Sequence, residues 1–365
     1  MRVVAGNWHD GPLQQLLRVR YPVVQGPVGG GLSSVALAAA VSNAGGLGSF
    51  GAHALDPAGI ATVVAELKAA TEHPFAMNLW VPQPGESEAR LSPEEFARQV
   101  DRLRPYLREL DLPDPPHPAS FGLDFTEQVE ALLRARPPVM SFVMGIPDAQ
   151  VIAEARARGI VTIGTATTVD EAAALADAGI DAVVASGSDA GGHRGAFLRP
   201  VGESLVGTFS LLPQVADAVA VPVIAAGGVS DARGVVAALV LGAAGVQVGT
   251  AFLARDESGV SAVHRQALLS PMARVTVLTR VFSGRLARGI PNRFQREMAI
   301  VEDDIPPYPI QNALTQELRR TANTRGVEDL VHLWAGQAAA LATSGSAAAF
   351  LAQLVTETEL MLNNA

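Results

Sequence analysis

The chain contains no cysteine, and this absence excludes disulfide bonds, thiolate metal sites and cysteine nucleophiles. Charged residues are also scarce, since they make up 17% of the 365 residues while hydrophobic residues make up 48%. A chain with so little charge and so much apolar side chain buries a large core, which excludes a disordered protein. The composition therefore predicts a compact globular protein.

Basic clusters and long apolar runs are missing as well. The formal net charge is −9 and no run is rich in lysine or arginine, so nucleic acid and anionic membranes are excluded as partners. The longest apolar run, residues 235–246, is interrupted by Gly242 and Gly245 and falls short of the ~20 residues that a membrane helix needs. Residues 1–8 have no segment suited to a signal peptide. We therefore expect a cytoplasmic protein without a membrane partner.

Short runs rich in β-branched residues alternate with alanine-rich segments, a pattern typical of βα units around a parallel sheet. The predicted strands are residues 23–25, 48–50, 75–79, 139–143, 161–163, 182–185, 223–226 and 246–248. The predicted helices between them are residues 34–43, 57–70, 148–158, 169–178, 211–219 and 231–241. Eight parallel strands, the later ones regularly spaced, predict a closed (β/α)8 TIM barrel of the α/β class rather than an open sheet.

Two regions interrupt this alternation. Residues 83–137 carry many prolines and charges with a helix-like segment at 93–110, and they predict an insertion between strands three and four. After about residue 270 the alternation stops, and residues 271–365 are predicted to form a mostly helical cap on the substrate side. The predicted division is therefore a barrel over residues 1–270 and a cap over residues 271–365.

A glycine-rich loop follows the predicted sixth strand. Residues 186–195 have the sequence SGSDAGGHRG, whose four glycines allow positive φ and close approach to a ligand. His193 is the one side chain there that exchanges a proton near neutral pH. A histidine in a loop is in general often structural, bonded to a nearby carbonyl, but a titratable group in a glycine-rich loop at the end of a strand favours an active site.

The predicted strands seven and eight also end in glycine. Residues 223–230 have the sequence VIAAGGVS and residues 246–250 the sequence VQVGT. In (β/α)8 barrels the loops after these strands commonly hold a phosphate group against backbone N–H groups. The alternative is that these glycines mark only tight turns. The glycines at residues 29–31 are not followed by the lysine of a P-loop, so that phosphate motif is excluded.

With these motifs in place, the chain resembles the nitronate monooxygenase family, formerly called 2-nitropropane dioxygenases, which includes bacterial nitroalkane-oxidising flavoproteins. The resemblance spans residues 22 to about 312, and the AGGHRG sequence at 190–195 favours the nitronate-oxidising branch. The segments that carry it are residues 22–28 with 41–48, 77–79, 190–195, 226–229 with 247–250, 284–289 and 308–312.

The resemblance implies an FMN cofactor bound at the mouth of the barrel. It assigns Gly26, Pro27 and Val28 to the flavin ring, Asn78 to a hydrogen bond with it, Thr165, Ser186 and Gly191 to the ring edge, and Gly228, Gln247, Val248, Gly249 and Thr250 to the phosphate. The chain departs from the usual family pattern at two of these positions. Many relatives have methionine in place of Val28 and glutamine in place of Ser186. Serine is shorter than glutamine, so the contact that the glutamine makes directly with the flavin would here be made by Ser186 through a water molecule.

The resemblance also implies that His193 is the catalytic base. The reaction that the resemblance implies oxidises a nitroalkane or alkyl nitronate with O2 to an aldehyde or ketone plus nitrite. A neutral nitroalkane is a weak carbon acid, so a base that removes its proton speeds the reaction, and a protonated imidazole stabilises the resulting nitronate. The other histidines are scattered without the spacing of metal ligands, and no metal is expected.

Several alternatives remain open at the level of sequence. Tyr308 and Trp80 are candidates for the substrate pocket, or they pack in the core. Arg285 and Arg288 neutralise the FMN phosphate, or they pair with carboxylates of the cap. An FMN-dependent enoyl-acyl-carrier-protein reductase, an NADH:quinone reductase and a non-catalytic flavin-binding protein fit the same barrel. The substrate and the oligomeric state, a homo-oligomer included, are not determined by the sequence.

Overall fold

The computed structural model describes residues 8–118 and 120–364 of the chain. Residues 1–7, on which the expectation of no signal peptide depends, lie outside the described residues. The barrel strands are β1 (Val23–Gln25), β2 (Gly48–Gly51), β3 (Phe75–Trp80), β4 (Val139–Val143), β5 (Val161–Ala166), β6 (Ala182–Ser186), β7 (Val223–Ala226) and β8 (Gly245–Val248). Each of the predicted strands is therefore confirmed, with ends that differ by at most three residues.

These strands form a parallel barrel. Hydrogen-bonded neighbours follow the order β1-β8-β7-β6-β5-β4-β3-β2. The ring closes between β1 and β2, where the Leu47 N–H donates to Val23 O and the Gln25 N–H donates to Leu47 O, both at 2.9 Å. Because all eight strands run in one direction, the loops after them meet at one mouth, and the predicted (β/α)8 barrel is confirmed.

The helices follow the strands in the expected alternation. They are α1 (Pro12–Leu17), α2 (Val35–Asn43), α3 (Pro57–Ala70), α4 (Pro93–Glu109), α5 (Phe125–Ala135), α6 (Ala149–Ala157), α7 (Val169–Asp177), α8 (Thr208–Ala218), α9 (Ala232–Val240), α10 (Thr250–Leu253), α11 (Ala262–Leu268), α12 (Arg293–Met298), α13 (Ile310–Leu314), α14 (Gln316–Arg325) and α15 (Ala347–Asn363). Side chains such as Ser34, Asp56 and Thr168 accept hydrogen bonds from N–H groups of the first turn and so begin α2, α3 and α7. No helix among the described residues is long and apolar enough to cross a membrane.

The segment between β3 and β4 contains two helices rather than one. The predicted α4 begins with a capping box of Ser92 and Glu95. Helix α5, which the sequence pattern did not predict, packs against α3 and α6 in the outer ring of the barrel. Its buried side chains, among them Val129 and Leu132, join the core under β3 and β4. The insertion is therefore shorter than predicted and ends where α5 begins, because residues 125–135 supply the barrel helix of this unit.

The region after α11 combines short helices with a small antiparallel sheet. Strand Ala287–Gly289 pairs with Val277–Thr279 on one side and with Gly192–His193 on the other. Buried side chains such as Phe282 and Phe294 pack with Leu103 of α4, so the insertion and this region share one core. The last helix, α15, instead packs against α2 and α9 of the barrel. The division into two domains at residue 270 stays a prediction.

Candidate active site

A cavity of about 550 Å³ opens at the C-terminal mouth of the barrel. The predicted positions that line it are Gly26, Pro27, Val28, Asn78, Trp80, Thr165, Ser186, Gly191, His193, Gly228, Gln247, Gly249 and Thr250. Two predicted residues do not line it. Val248 is fully buried and its C=O accepts from the Gly26 N–H at 2.8 Å, while Tyr308 lines a neighbouring cavity.

One end of the cavity is made of backbone. Gly227 and Gly228 follow β7 with φ of +104° and +75°, a conformation that favours glycine. Within the described part of the chain, the N–H groups of Gly228, Gly249 and Thr250 donate to no acceptor. An ideal Cβ built on Gly249 meets no atom within 4 Å, so open space lies beside this loop. Backbone N–H groups without acceptors on two loops that line the same cavity can form an anion-binding cradle.

Arg194 fixes the loop that carries His193. It is 2% exposed, and its guanidinium donates to Gly187 O and Ser186 O, both at 2.8 Å. A Cβ on Gly191 would lie 2.5 Å from the backbone of Ala335 and Gly336, so the loop packs too closely there for any larger residue. No role was predicted for Arg194, because both of its acceptors are backbone carbonyls, which no pattern of side chains reveals.

His193 stands on the wall of the cavity, held from three sides. Its Nε2 lies 2.7 Å from Ser283 Oγ, and the rings of Trp80 and Trp334 meet it edge-on at centroid distances of 4.8 Å and 5.2 Å. Its Nδ1 has no hydrogen-bond partner among the described residues. Burial, and after it the nearby Arg285, hold the pKa of His193 well below its usual value of 6.5. At neutral pH the imidazole is therefore unprotonated.

His53 and Trp80 form the wall next to His193. Their rings are stacked with centroids 3.7 Å apart and planes 9° apart. Burial and the charge of Arg285 lower the pKa of His53 to about 3. His53 is one of the scattered histidines to which the sequence pattern assigned no role. The glycine at position 29 is the only sequence feature that points to His53. A Cβ at position 29 would lie 1.8 Å from the His53 ring, so this position requires glycine.

Helix α14 covers the cavity from the cap side. Arg319 lines the cavity and donates to Asn312 Oδ1 at 2.8 Å and to Thr315 Oγ1 at 3.1 Å. Among the described residues no carboxylate pairs with it, and burial lowers its pKa to about 10. The positive charge of this partly buried guanidinium also favours the neutral form of His193. Sequence patterns did not identify Arg319, because it is one of several arginines on a polar helix.

The two arginines considered for the phosphate lie elsewhere. Arg285 forms an ion pair with Glu86 of the insertion, and both side chains are largely buried. Arg288 donates from Nε to Ser188 O at 2.9 Å and from Nη1 toward Thr276. For Arg285 the structure agrees with carboxylate pairing. Among the described residues Arg288 pairs with no carboxylate and does not line the cavity, because its guanidinium donates to backbone carbonyl oxygens instead.

Comparisons with known proteins agree with this geometry. The family model described as nitronate monooxygenase matches residues 11–357. A probable nitronate monooxygenase of Staphylococcus aureus (strain Newman) is 41% identical over 96% of this chain and 98% of its own, and one of Staphylococcus haemolyticus is 42% identical over 97% and 99%.

Solved structures show the same relationship. A nitroalkane oxidase from Streptomyces ansochromogenes superimposes with a TM-score of 0.86 and 36% identity, covering 97% of this chain and 99% of its own. FabK from Thermotoga maritima superimposes with a TM-score of 0.76 and 28% identity, covering 96% and 97%. The chain therefore belongs to the nitronate monooxygenase family and is an enzyme of that type.

Proposed function

We propose that this protein binds FMN in the barrel-mouth cavity and oxidises small nitroalkanes or their nitronates with O2, releasing an aldehyde or ketone and nitrite. The observation that carries the proposal is the place of His193 on the wall of a cavity with a backbone anion cradle, where its Nδ1 has no hydrogen-bond partner among the described residues. Family membership supports the class of reaction. When bound, FMN would accept electrons from the substrate and pass them to O2.

The residues present fit a flavin mononucleotide. The N–H groups of Gly228, Gly249 and Thr250, which have no acceptor in the part of the chain that the structure describes, suit its phosphate, and glycine at position 249 leaves the space. The Asn78 amide nitrogen donates to Ser141 Oγ at 3.0 Å and to Ser141 O at 3.2 Å. Its Oδ1 therefore remains to accept a hydrogen bond from an N–H of the flavin ring.

His193 would take the proton from the carbon next to the nitro group. Because the pKa of His193 is low, the imidazole is in its basic form over the whole neutral range. The nitronate that forms carries a negative charge, which raises the pKa of the adjacent imidazole and stabilises the transferred proton. Ser283 Oγ, 2.7 Å from Nε2, would accept from Nε2–H and hold Nδ1 toward the cavity.

Electrostatics within the cavity favour an anion over a neutral molecule. Arg319 lines the cavity without a carboxylate partner among the described residues, while His53 and His193 stay uncharged. Asp189 also lines the cavity, and its Oδ2 accepts from the Thr208 N–H at 2.7 Å. The Arg319 guanidinium attracts a nitronate anion, and a neutral nitroalkane gains this attraction only as its proton leaves. We expect preformed nitronate to react faster than the parent nitroalkane.

The proposal is tested by mixing the purified FMN-containing protein anaerobically with ethyl nitronate, nitroethane and NADH in turn. Bleaching of the flavin by the first two and not by NADH is the expected result. The structural likeness to FabK makes a flavin-dependent enoyl reductase the second candidate. Rapid bleaching by NADH with none by either nitro compound would replace the first proposal with the second, and a colourless protein that refuses FMN would overturn both.

A further inference from the structure

A second cavity of about 410 Å³ lies behind the wall formed by His53 and Trp80. These two residues line both cavities, so one stacked pair of rings separates them. The insertion contributes Glu86 and Phe121 to the second cavity, and the C-terminal region contributes Arg285 and Tyr308. We call this space the rear chamber.

Trp80 is held on each side of the partition. His53 stacks on its face at 3.7 Å, His193 meets it at 4.8 Å, and Tyr308 lies 5.6 Å away at a tilt of 51°. The guanidinium of Arg285 lies 5.7 Å from the centre of the Trp80 ring and 4.6 Å from that of Tyr308. A side chain packed by four neighbours keeps one rotamer, so the wall beside His193 is rigid.

The rear chamber has an unused hydrogen-bond donor. Arg285 pairs with Glu86 through Nη2, and its side chain is 12% exposed. Its Nη1 is buried and has no hydrogen-bond partner among the described residues. A buried guanidinium N–H without an acceptor is costly, and a ligand oxygen in the chamber would remove that cost.

We propose that Trp80, braced by His53, ends the substrate space beside His193 and sets the length of substrate chain that the enzyme accepts. The rear chamber is the space that a longer substrate would enter if this ring were absent, and Arg285 would bind an anionic group at the far end of such a substrate. The inference rests on the proposed oxidation of nitro compounds, since that reaction places the reacting carbon at His193.

The first readout of the test is binding, which does not require turnover. Carboxylates resemble nitronates in shape and charge but have no reactive carbon–nitrogen bond. Propanoate, heptanoate and heptanedioate are titrated into the FMN-containing protein, and their dissociation constants are read from the change in flavin absorbance. We expect Trp80→Ala to lower the dissociation constant of heptanoate relative to that of propanoate at least tenfold, because the extra methylene groups of heptanoate become buried in the space that the ring leaves.

The second readout is turnover of nitroethane and 1-nitrohexane. Trp80→Ala is expected to raise the ratio of kcat/KM for 1-nitrohexane to that for nitroethane by about tenfold or more. Trp80→Phe is the matched control, because a phenyl ring keeps an aromatic wall, and it should leave the ratio within about twofold of the parent. If Trp80→Ala does not fold, Trp80→Leu gives the same comparison with a larger apolar side chain in place.

Arg285 is tested in the opened background. In Trp80→Ala, heptanedioate should bind more tightly than heptanoate, and adding Arg285→Met should abolish that advantage while heptanoate binding stays the same. If heptanoate binds no better relative to propanoate in Trp80→Ala than in the parent, Trp80 does not limit the chain length. If heptanedioate still binds more tightly than heptanoate in the double variant, Arg285 does not bind the far carboxylate. If no variant oxidises a nitro compound but the binding series behaves as expected, the proposed function fails while the wall stands.

Discussion

The two ends of the barrel-mouth cavity are built from different parts of the chain. At the β7–β8 end the cavity is formed by backbone: the N–H groups of Gly228 and Gly249 have no acceptor among the described residues, and open space lies beside Gly249. At the other end it is formed by packed side chains, with His193 held by Ser283, Trp80 and Trp334. We infer that the backbone end would bind the cofactor and that the side-chain end would carry out proton transfer. Cofactor binding and proton transfer should therefore be lost independently of one another.

The largest expected effect is at the side-chain end. His193→Asn removes the base but keeps a hydrogen-bonding side chain for Ser283, so turnover of neutral nitroethane should fall by about 10²–10⁴-fold. Preformed ethyl nitronate needs no proton removal, and its turnover should fall much less. Steady-state kinetics with both substrates check this, and equal losses for the two would remove His193 from the role of base.

The next effect is at the backbone end. Gly249→Ala places a methyl group in the space assigned to the phosphate, and its φ of −100° accepts alanine without strain. We expect the Kd for FMN, measured by fluorescence titration, to rise tenfold or more, which is about 1.4 kcal/mol. Gly202→Ala is the matched control, because its Cβ also meets nothing within 4 Å but lies outside the cavity. Unchanged FMN binding in Gly249→Ala would move the phosphate elsewhere.

Ser283→Ala should give a smaller effect on the side-chain end. It removes the oxygen 2.7 Å from Nε2, and losing such a bond costs about 1 kcal/mol, or roughly a fivefold fall in kcat with nitroethane. A positioning role also predicts an altered pH profile of kcat/KM, which a purely structural role would leave alone. Ser92→Ala, which removes a hydroxyl at the start of α4, should change neither.

The smallest effect concerns stability and pH. Burial lowers the pKa of His264 to about 4, while in the unfolded chain it is near 6.5. As pH falls from 6.5 toward 4, the unfolded state binds the proton first, so stability drops by on the order of 1 kcal/mol per pH unit. His264→Gln keeps a donor for Trp334 O and should flatten the fall in urea midpoint below pH 6.5. His73 is exposed, so His73→Gln should leave the fall of the urea midpoint with pH unchanged. The same fall in the parent, His264→Gln and His73→Gln would show that burial of His264 does not cause it.

The sequence predicted the backbone end better than the side-chain end. Glycines at positions 227, 228 and 249 follow their strands directly, so a local pattern pointed to residues that line the cavity. His193 was also singled out locally, from its glycine-rich loop, and it lines the cavity as well. By contrast His53, Ser283 and Trp334 come from distant segments and have no pattern of their own, because only the packed fold brings them together.

The fold shows the same division between local and distant information. The barrel strands could be predicted because a strand that is buried on both faces needs a continuous run of apolar residues, and such a run is visible in the sequence. Helix α5 was missed because it lies in a segment rich in prolines and charges. The packing of α15 against α2 and α9 could not be predicted, because about a hundred residues separate α15 from β8 along the chain.

The most direct test of this separation measures flavin content and nitroethane turnover together in Gly249→Ala and His193→Asn. The account predicts that His193→Asn is purified with as much FMN as the parent and turns over nitroethane poorly. Gly249→Ala should be purified pale and recover turnover when FMN is added in excess. If both variants lost flavin and turnover in parallel, or if His193→Asn kept full turnover, the assignment of cofactor to backbone and proton transfer to His193 would be wrong.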